Sequence, residues 1–555
     1  MSRRHLIPLW IILFVPLPQA VAAAPAAAAD VVVYGETLAG IGAAIQAARL
    51  GRAVVLLAQT SHLGGVATAG LTATDMNRSA SIGGIAREFY GHIYDHYLQP
   101  SAWRGDDREG FFERAKPRTY SGKDDTLRMQ WVYESHVAEE ILADMLRHAG
   151  VTVVRECLIA EAEDAVEMTE GRILALRTTT GDRHAGRIFI DASPEGDLMA
   201  RAGVGHLIGR ESNAAFAETL NGIHPAGIFG TPLRSVDPWI RHGDPGSGLL
   251  PFIDRTLRGR PGDQDNRSQA YCYRVTLTDD PANRVPIAKP DNFQPLWHEA
   301  LVRKLQLNPD TRLQAIISLA PMPNHKADTN GIDCVGGNHD YPAATYQERA
   351  RIAEQHRDYA LGMLWTLAHD DRVPAAIRVE MKPWGLPRDE FADHGNFPHQ
   401  LYVREARRMR GAFVMKEENV RRAGRVDAGH CVALGSYALD SHVVSRFLDT
   451  DGQVRDEGSQ LEPRFRGLPP YSISYHALVP QPMECRNLLV PVCLSATHVA
   501  YASIRMEPVF MVLGQAAGAA AAVAIEDRIA VQDVPYPRLR SILISAGQIL
   551  DRDPP

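Results

Sequence analysis

The order of apolar and polar residues predicts a strand–helix–strand unit near the start of the folded chain. Val31–Tyr34 and Ala53–Leu57 are short apolar runs of the kind found in fully buried strands. Between them, small and apolar residues recur with helical spacing over Ala39–Leu50, and Gly51 ends the segment. Because a strand–helix–strand unit of this size forms a right-handed crossover, the pattern predicts a parallel sheet.

Further elements follow from the same periodicities. Helical spacing predicts one helix that begins near Gly84 and a second over Glu134–Ala149. Within Val151–Asp191, the runs "VTVVREC", "ILALRTT" and "RIFIDAS" are separated by glycine and charged residues, which predicts a meander beside the parallel sheet. Near the C-terminus, Asn487–Val492 predicts a buried strand and Pro508–Ile525 predicts a helix of Ala, Gly and Val.

The middle of the chain lacks this regularity. From about Gly205 to Pro480 the sequence is rich in Pro, Arg, His and Asp, and no repeat of about 20 to 50 residues is present. Elements typical of a nucleotide-binding domain therefore lie at both ends of the chain. We predict an α/β fold in which residues 30–204 and 481–555 form one domain, while residues 205–480 form an inserted α+β substrate domain.

Composition narrows the function classes. The 555 residues are 45% hydrophobic and 23% charged, which is typical of a globular protein with room for two domains. A net charge of -7, with no long basic run after the first residues, argues against nucleic-acid binding. The six cysteines show no C-x-x-C spacing, so we predict no iron–sulfur or zinc site and expect mostly buried packing residues.

The N-terminal residues 1–29 have the features of a secretory signal peptide. A basic start is followed by an apolar stretch broken by prolines and then by small residues. The apolar stretch is shorter than the ~20 residues of a membrane span, so we expect a periplasmic or secreted protein without an integral membrane domain. Arg3 and Arg4 resemble a twin-arginine export signal, and an ordinary signal peptide with two arginines is the alternative.

The stretch "DVVVYGETLAGIGAA" (Asp30–Ala44) is close to the dinucleotide fingerprint G-x-G-x-x-G. Gly35 and Gly40 fill the first and third places, and Thr37 fills the second. Thr37 either is merely tolerated there or hydrogen-bonds a phosphate. The N-terminus of the following helix would still offer N–H groups to an anion. A plain strand-to-helix turn is the alternative.

The end of the second strand departs from the fingerprint as well. An acidic residue is expected there to hold the ribose hydroxyls, but the sequence has Ala58 and Gln59. Gln59 is therefore our candidate for one of those hydrogen bonds.

Longer segments resemble a known family. "HLGGVATAGLTATD" (His62–Asp75) is similar to the loop after the second strand of bacterial FAD-dependent oxidoreductases, some of which carry xanthan-lyase names. "FIDASPEGDLMARAGV" (Phe189–Val204) resembles that family's second signature, and Asn487–Ala522 resembles its C-terminal flavin segment. Shorter matches run through the middle, so the resemblance covers nearly the whole mature chain. It implies a Rossmann-like FAD-binding domain and FAD as the cofactor.

The resemblance also implies a set of cofactor-binding residues. The N-terminus of the Pro508 helix, directed at the flavin's pyrimidine edge, would stabilise the negative charge of reduced flavin. A capping turn near Asp191 and a plain buried helix at the C-terminus are the alternatives. The predicted FAD contacts are Gly35, Thr37, Leu38, Ala39, Gly40, Gln59, His62, Gly64, Gly65, Asp191, Ala192, Ser193, Met506, Glu507 and Pro508.

Flavin N5 performs the redox chemistry, so the protein must position the substrate and move a proton. Arg404 and Arg407 are candidates for holding an anionic or polyol substrate, with a salt-bridged surface helix as the alternative. His498 and Lys326 are candidates for proton transfer. His498 is favoured because its neighbours are small and apolar and its segment follows the flavin; packing against the cofactor is the alternative. A solvated loop is the alternative for Lys326.

These observations predict an exported FAD-dependent oxidoreductase. It would act on a small polyol, sugar, hydroxy acid or keto acid by hydride transfer at flavin N5, with an electron acceptor that the sequence does not identify. Two alternatives remain open: a lyase or isomerase that uses FAD as a transient redox partner, and a non-catalytic electron-transfer flavoprotein. A nicotinamide cofactor is disfavoured because only one fingerprint-like loop is present.

Overall fold

The computed structural model describes residues 29–76, 78–115, 122–225, 233, 235–421, 426–461 and 469–551. The predicted signal peptide lies outside these residues, apart from position 29. The described helices are α1 Leu38–Arg49, α2 Gly84–His96, α3 Arg108–Ala115, α4 Ser135–His148, α5 Asp197–Arg201, α6 Asn213–Phe216, α7 Pro295–Leu307, α8 Tyr346–His369, α9 Ala375–Met381, α10 Glu417–Val420, α11 His498–Ile504, α12 Glu507–Asp527 and α13 Tyr536–Ser545. The described strands are β1 Ala29–Tyr34, β2 Val54–Leu57, β3 Lys123–Asp124, β4 Met129–Gln130, β5 Thr152–Val154, β6 Val166–Thr169, β7 Arg172–Arg177, β8 Arg183–Asp191, β9 His206–Ile208, β10 Thr276–Thr278, β11 Arg284–Val285, β12 Ser318–Met322, β13 Lys326–Asn330, β14 Leu386–Pro387, β15 Arg407–Met409, β16 Cys431–Gly435, β17 Asp440–Ser441, β18 Ser445–Leu448, β19 Val454–Glu457, β20 Gln460–Leu461, β21 Tyr471–Ser474 and β22 Leu488–Leu489.

A seven-stranded sheet organises both ends of the chain. Its strand order is β5-β2-β1-β8-β7-β6, and β22 also pairs with β8. Strands β5, β2, β1, β8 and β22 run parallel, whereas β6, β7 and β8 form an antiparallel meander. The predicted α/β fold with a parallel sheet and a meander is confirmed.

One part of the strand prediction is wrong. The run that begins at Val151 forms β5 at the parallel edge beside β2, not the first strand of the meander. Strand β5 follows helix α4, and a strand that returns to the sheet through a crossover helix lies parallel to its neighbour. The first meander strand is instead β6, whose residues the sequence pattern did not single out.

Helices α1 and α12 bring the two ends of the chain together. A Cβ atom at Gly514 would lie 1.9 Å from the carbonyl oxygen of Ala39, and one at Gly518 would lie 2.3 Å from that of Ala43. Glycine at these two positions therefore lets the backbones of the two helices touch. The N-terminus of α1 consequently lies about two helical turns from the N-terminus of α12.

Helix α12 is long and apolar enough to cross a membrane, alone among the helices of the described ranges. Its most apolar window is entirely buried inside the protein. A core helix passes the same test of length and composition, so this is weak evidence for a membrane span.

The middle of the chain is more regular than its sequence pattern indicates. Helix α8 has 24 residues and begins with a capping box, in which Thr345 and Glu348 exchange side-chain and backbone hydrogen bonds. The T-x-x-E spacing of these two residues is a signal that the sequence analysis missed.

Buried residues of 271–401, among them Val275 and Leu364, form a second hydrophobic cluster. Met409 and Ile473 instead pack in the cluster shared with the main sheet.

Candidate active site

The loop after β1 has the geometry that the fingerprint requires. Gly35 has φ +107°, and a Cβ atom there would lie 2.5 Å from the backbone of Ala192. A Cβ atom at Gly40 would lie 1.9 Å from the carbonyl oxygen of Gly35. Both positions therefore need glycine, the first for its left-handed backbone and the second for close packing of helix on strand.

Thr37 caps helix α1. Its hydroxyl donates a hydrogen bond to the carbonyl oxygen of Ala192 (2.8 Å) and accepts one from the N–H of Gly40 (3.3 Å). The hydroxyl therefore serves as the helix cap in this structure, and its predicted hydrogen bond to a phosphate stays a prediction. The N–H groups of Leu38 and Ala39 have no hydrogen-bond acceptor within the described residues. These first-turn N–H groups are the ones that a helix offers to an anion.

The glycine-rich loop after β2 lies against this turn. Gly64 has φ +105° and Gly65 has φ +62°, both in the left-handed region. The N–H of Gly64 donates to the carbonyl oxygen of Glu36 (2.8 Å). A Cβ atom at Gly65 would lie 3.3 Å from the Cα of Thr37. The two loops therefore pack closely against each other near the start of α1.

The side chains of Gln59 and His62 are engaged in protein contacts. The amide of Gln59 donates to the Tyr34 hydroxyl (3.2 Å). The two ring nitrogens of His62 lie 3.1 Å from Glu139 and 3.2 Å from Asp393. The hydrogen bond to Glu139 raises the pKa of His62. The predicted roles of Gln59 and His62 in binding FAD stay predictions.

Asp191 caps the turn that follows β8. Its carboxylate accepts hydrogen bonds from the hydroxyl of Ser193 (2.6 Å) and from the N–H groups of Ser193 (3.0 Å) and Met199 (2.7 Å). Burial raises the pKa of Asp191 to about 6, although these hydrogen bonds oppose the shift. Asp191 thus caps this turn, and both Ala192 and Ser193 lie against Gly35. The predicted contacts of these three residues with FAD stay predictions.

The N-terminus of α12 carries a buried acid. Met506 is the N-cap residue, and Glu507 and Pro508 begin the helix. Burial raises the pKa of Glu507 to about 8, while nearby Arg505 lowers it. A largely protonated Glu507 leaves the positive end of the helix dipole uncompensated at neutral pH. That end can therefore stabilise a negative charge on a bound group.

These features fit FAD. The site for a pyrophosphate is formed by glycines at which an added Cβ atom would collide with neighbouring atoms. The free N–H groups at the start of α1 belong to the same site. The N-terminus of α12 lies about two helical turns away along the α1–α12 contact. Its positive end suits the flavin ring, which becomes negatively charged on reduction.

A cavity of about 480 Å³ opens beside the N-terminus of α12. Its walls come from the glycine-rich loop, from Arg505 and from the middle of the chain. The polar wall consists of Asp75, Arg274, Ser318, Asn330, Asp333, Tyr402, Tyr437, Asp440, His442, Arg446 and Arg505. The apolar wall includes Leu233, Trp297, Ala300, Leu301, Ile316, Val335, Tyr359 and Met363. Cavities of this size and mixed lining are typical of small-molecule sites.

Two hydrogen-bonded acids stand out on the polar wall. The hydroxyl of Tyr437 donates to Asp75 (2.8 Å), and burial, together with the charge of nearby Asp440, raises the pKa of Asp75. Asp333 contacts the Nδ1 of His442 at 2.5 Å and a guanidinium nitrogen of Arg404 at 3.0 Å. Burial alone would raise the pKa of Asp333, but these two partners lower it.

Comparison with protein families decides the identity of the site. The model of the FAD dependent oxidoreductase family matches residues 30–543. The chain belongs to this family. It is therefore an oxidoreductase enzyme with FAD as its cofactor, as the sequence analysis predicted.

Individual relatives are distant from this FAD-dependent oxidoreductase. L-amino acid deaminase from Proteus vulgaris is 17% identical over 35% of this chain and 55% of its own, with a TM-score of 0.22. L-proline dehydrogenase from P. horikoshii is 16% identical over 33% and 58%, with a TM-score of 0.23. 3-Ketosteroid-delta4-(5alpha)-dehydrogenase from Rhodococcus jostii RHA1 is 17% identical over 34% and 51%, with a TM-score of 0.19. These alignments span little more than half of each relative, and the identification rests on the family match. No curated protein sequence matches the chain.

His498 of the oxidoreductase is enclosed and paired. It is the first residue of α11 and has no exposed surface. Its Nδ1 lies 2.8 Å from a carboxylate oxygen of Glu405, and its Nε2 lies 3.2 Å from the Ser441 hydroxyl. The ring does not line the cavity. Its predicted catalytic role stays a prediction, and the geometry favours a role in fixing the segment before α12.

Lys326 is buried in strand β13, so the solvated loop considered from sequence is wrong. Its ammonium group lies 2.6 Å from Glu134, 2.9 Å from Glu390 and 2.9 Å from Asp389. These carboxylates raise the pKa of Lys326 despite burial, which holds the side chain charged. Glu134, His136 and Glu390 could together hold a metal ion, but the lysine already supplies a positive charge to this cluster.

Arg404 and Arg407 do not lie on a surface helix. Arg404 is fully buried behind the cavity wall, where it contacts Asp333. Arg407 begins strand β15 and donates to Asp197 (2.8 Å). The four residues predicted to be catalytic thus belong to separate ion-pair clusters, and the structure does not bring them together.

The sequence analysis missed most of the cavity's polar wall. Asp75 ends the glycine-rich loop that carries the family resemblance, and Arg505 precedes the Glu507–Pro508 helix start. Both residues could have been predicted as site residues, because each adjoins a segment that resembles the family's flavin-binding segments. His442 and Asp440 also lie on this wall.

Proposed function

We propose that this oxidoreductase is an exported enzyme that oxidises a neutral hydroxyl compound, or reduces the matching carbonyl compound, within the 480 Å³ cavity. The observation that supports this proposal is the meeting of three parts of the chain at one cavity: the glycine-rich loop, the segment before α12 and the middle region. The first two parts border the surfaces that fit FAD, and the third supplies most of the lining.

The charges of the cavity favour a neutral substrate. Within the described residues, each of its three arginines already contacts a carboxylate: Arg274 contacts Asp328 (2.9 Å), Arg446 contacts Asp456 (3.1 Å) and Arg505 contacts Asp440 (3.1 Å). An anionic substrate would therefore have to compete with these carboxylates for the arginines. Among polyols, sugars and hydroxy or keto acids, the acids are therefore disfavoured. The apolar wall favours a hydroxyl compound with a hydrocarbon body or ring.

Asp75 is the group that we assign to proton transfer. When FAD is bound, it supplies the two-electron acceptor at N5 for the hydride of a C–H bond. Oxidation of an alcohol also releases the hydroxyl proton. Asp75 faces the cavity, and its raised pKa makes it a stronger base than an exposed aspartate. Tyr437 orients the carboxylate through its hydroxyl, and reduction of the carbonyl compound would use the reverse transfer.

The test is anaerobic reduction of the bound flavin by a panel of neutral alcohols, sugars and hydroxy acids. We expect a neutral alcohol with an apolar body to bleach the flavin, and Asp75→Asn to slow this step about 10²- to 10⁴-fold. The matched control is Asp371→Asn, because the Asp371 side chain is 96% exposed and lies outside the cavity. An Asp75→Asn protein that keeps its FAD and is reduced at the wild-type rate would remove this assignment.

The same assay separates the alternative reaction classes. Product formation without an electron acceptor and without net bleaching would assign a lyase or isomerase. Reversible flavin reduction without saturation by any small molecule would assign an electron carrier. The large lined cavity supports an enzyme over a carrier.

Export is proposed from residues 1–29 of the sequence. If the twin-arginine signal is used, replacing Arg3 and Arg4 together by lysine will retain the protein in the cytoplasm, as measured by cell fractionation. Export of this variant at the wild-type level would assign an ordinary signal peptide instead.

A further inference from the structure

The strand that usually supplies the ribose-binding acid of a dinucleotide site lacks that acid here. In the fingerprint, a carboxylate at the end of the second strand accepts hydrogen bonds from the adenosine ribose. Strand β2 ends at Leu57, and Ala58, which follows it, has no exposed surface. The amide of Gln59 is turned toward Tyr34. The adenosine half therefore has no acid from the expected position.

A carboxylate reaches the same place from the neighbouring strand end. Glu36 stands between Gly35 and the helix cap, and its side chain extends toward the end of β2. One carboxylate oxygen accepts the N–H of Gln59 (2.8 Å), and the other accepts the hydroxyl of Thr60 (3.0 Å). Strands β1 and β2 are parallel neighbours with Tyr34 opposite Leu57. Their carboxyl ends are therefore adjacent, and one side chain can bridge them.

The Glu36 carboxylate is 3% exposed, and no cation of the described residues is among the groups that shift its pKa. Its two close donors are the N–H of Gln59 and the hydroxyl of Thr60, and the backbone N–H groups of Glu36 and Thr60 also contact the carboxylate. Burial raises the pKa of Glu36, as expected for an acid largely removed from water.

We propose that Glu36 is the ribose-binding acid of this enzyme, delivered from the phosphate loop instead of from the end of β2. Its carboxylate oxygens would accept hydrogen bonds from the ribose hydroxyls of FAD. The acid thus stands in the loop, and the position after β2 carries Ala58 instead of an acid. This inference rests on FAD as the cofactor and is independent of the proposed substrate.

A purely structural role for Glu36 makes a different prediction. If the side chain only braces the loop against β2, its removal weakens binding of every flavin nucleotide equally. If it binds ribose, its removal also abolishes discrimination between FAD and an analogue whose adenosine lacks the 2′-hydroxyl. The quantity to measure is therefore the ratio of the affinities for the two nucleotides. A change in the folded fraction of the protein affects both affinities equally and does not alter this ratio.

The experiment equilibrates the flavin-loaded enzyme with equal concentrations of FAD and 2′-deoxyadenosine FAD and measures the bound ratio by mass spectrometry. We expect the wild type to prefer FAD about tenfold, the usual effect of a hydrogen bond to a charged group. Glu36→Ala is expected to bind the two nucleotides nearly equally, with Glu36→Gln between these values. The double variant Glu36→Gly with Ala58→Glu, which returns the acid to β2, is expected to regain the preference.

Thr60→Val is the matched control. It removes one hydrogen bond that braces the carboxylate but keeps the acid, so the preference for FAD should persist. A Glu36→Ala enzyme that prefers FAD as strongly as the wild type would overturn the proposal. So would a wild type that shows no preference. If Glu36→Ala does not retain flavin, Glu36→Gln and the double variant decide between the two roles.

Discussion

At the scale of single residues, this enzyme buries many ionisable groups, and their environments set their charges. Lys326 is held charged by three carboxylates, whereas Glu507 at the start of α12 is shifted toward its neutral form. His298 is a third case, since no described residue accepts or donates a hydrogen bond at its buried Nε2. Each group therefore contributes a stability that depends on pH.

Burial lowers the pKa of His298 to about 4. In the unfolded chain its pKa is about 6.5, so the unfolded state binds a proton first as the pH falls. The folded state therefore loses stability from about pH 6.5 down to about pH 4, by up to about 3 kcal/mol for this group. We expect His298→Leu to flatten this part of the stability curve, as measured by urea unfolding at several pH values.

His242→Gln is the control for this effect, because the His242 side chain is 79% exposed. It should leave the acid sensitivity as it is in the wild type. Equal acid sensitivity of the wild type and His298→Leu would show that His298 does not contribute to it.

The residues of the phosphate loop were predictable, but their partners were not. Gly35 and Gly40 could be identified from sequence because only glycine meets the backbone requirements of that turn. The pairing of His498 with Glu405 could not, since 93 positions separate them and neither residue type specifies a partner. The same holds for Glu36, whose role depends on which two strands are neighbours.

At the scale of elements, the contact between α1 and α12 positions both halves of the FAD site. Gly514→Ala would place a Cβ atom 1.9 Å from the Ala39 carbonyl oxygen, so the helices must separate. We expect a loss of about 1 to 3 kcal/mol of unfolding free energy. Weaker FAD retention should follow, because the two helix N-termini move apart. Thermal unfolding and FAD release on dilution measure the two effects.

Gly91→Ala is the matched control for this helix contact. Gly91 lies within α2, and a Cβ atom there would lie 3.6 Å from the nearest atom, which is an ordinary contact. Alanine is favoured over glycine in helices by about 1 kcal/mol, so this variant should be as stable as the wild type or more stable. Equal behaviour of the Gly514→Ala and Gly91→Ala proteins would contradict the proposed role of the contact.

Element prediction succeeded where the hydrophobic period was strong. The apolar runs of β1 and β2 and the small-residue pattern of α12 led to the correct elements. Helix α8 was missed because buried polar residues such as Arg349 and His356 interrupt its apolar stripe. The buried guanidinium of Arg349 forms a bidentate ion pair with Asp197, which lies far away in sequence.

At the scale of the whole molecule, the account depends on the two chain ends forming one FAD site with the middle region over it. Sequence predicted the shared domain because strand and helix patterns typical of a nucleotide-binding domain occur at both ends. The cavity could not be predicted, since its wall combines Asp75, Arg274, Tyr437 and Arg505 from four separated segments. Only the folded chain brings these side chains together around one cavity.

The most direct test of this account is the visible absorption spectrum of the purified mature protein, with FAD quantified after denaturation. We predict a yellow protein that holds about one FAD per chain and loses its colour when a substrate reduces it without air. A colourless protein that acquires no flavin absorption on incubation with FAD would contradict the central claim.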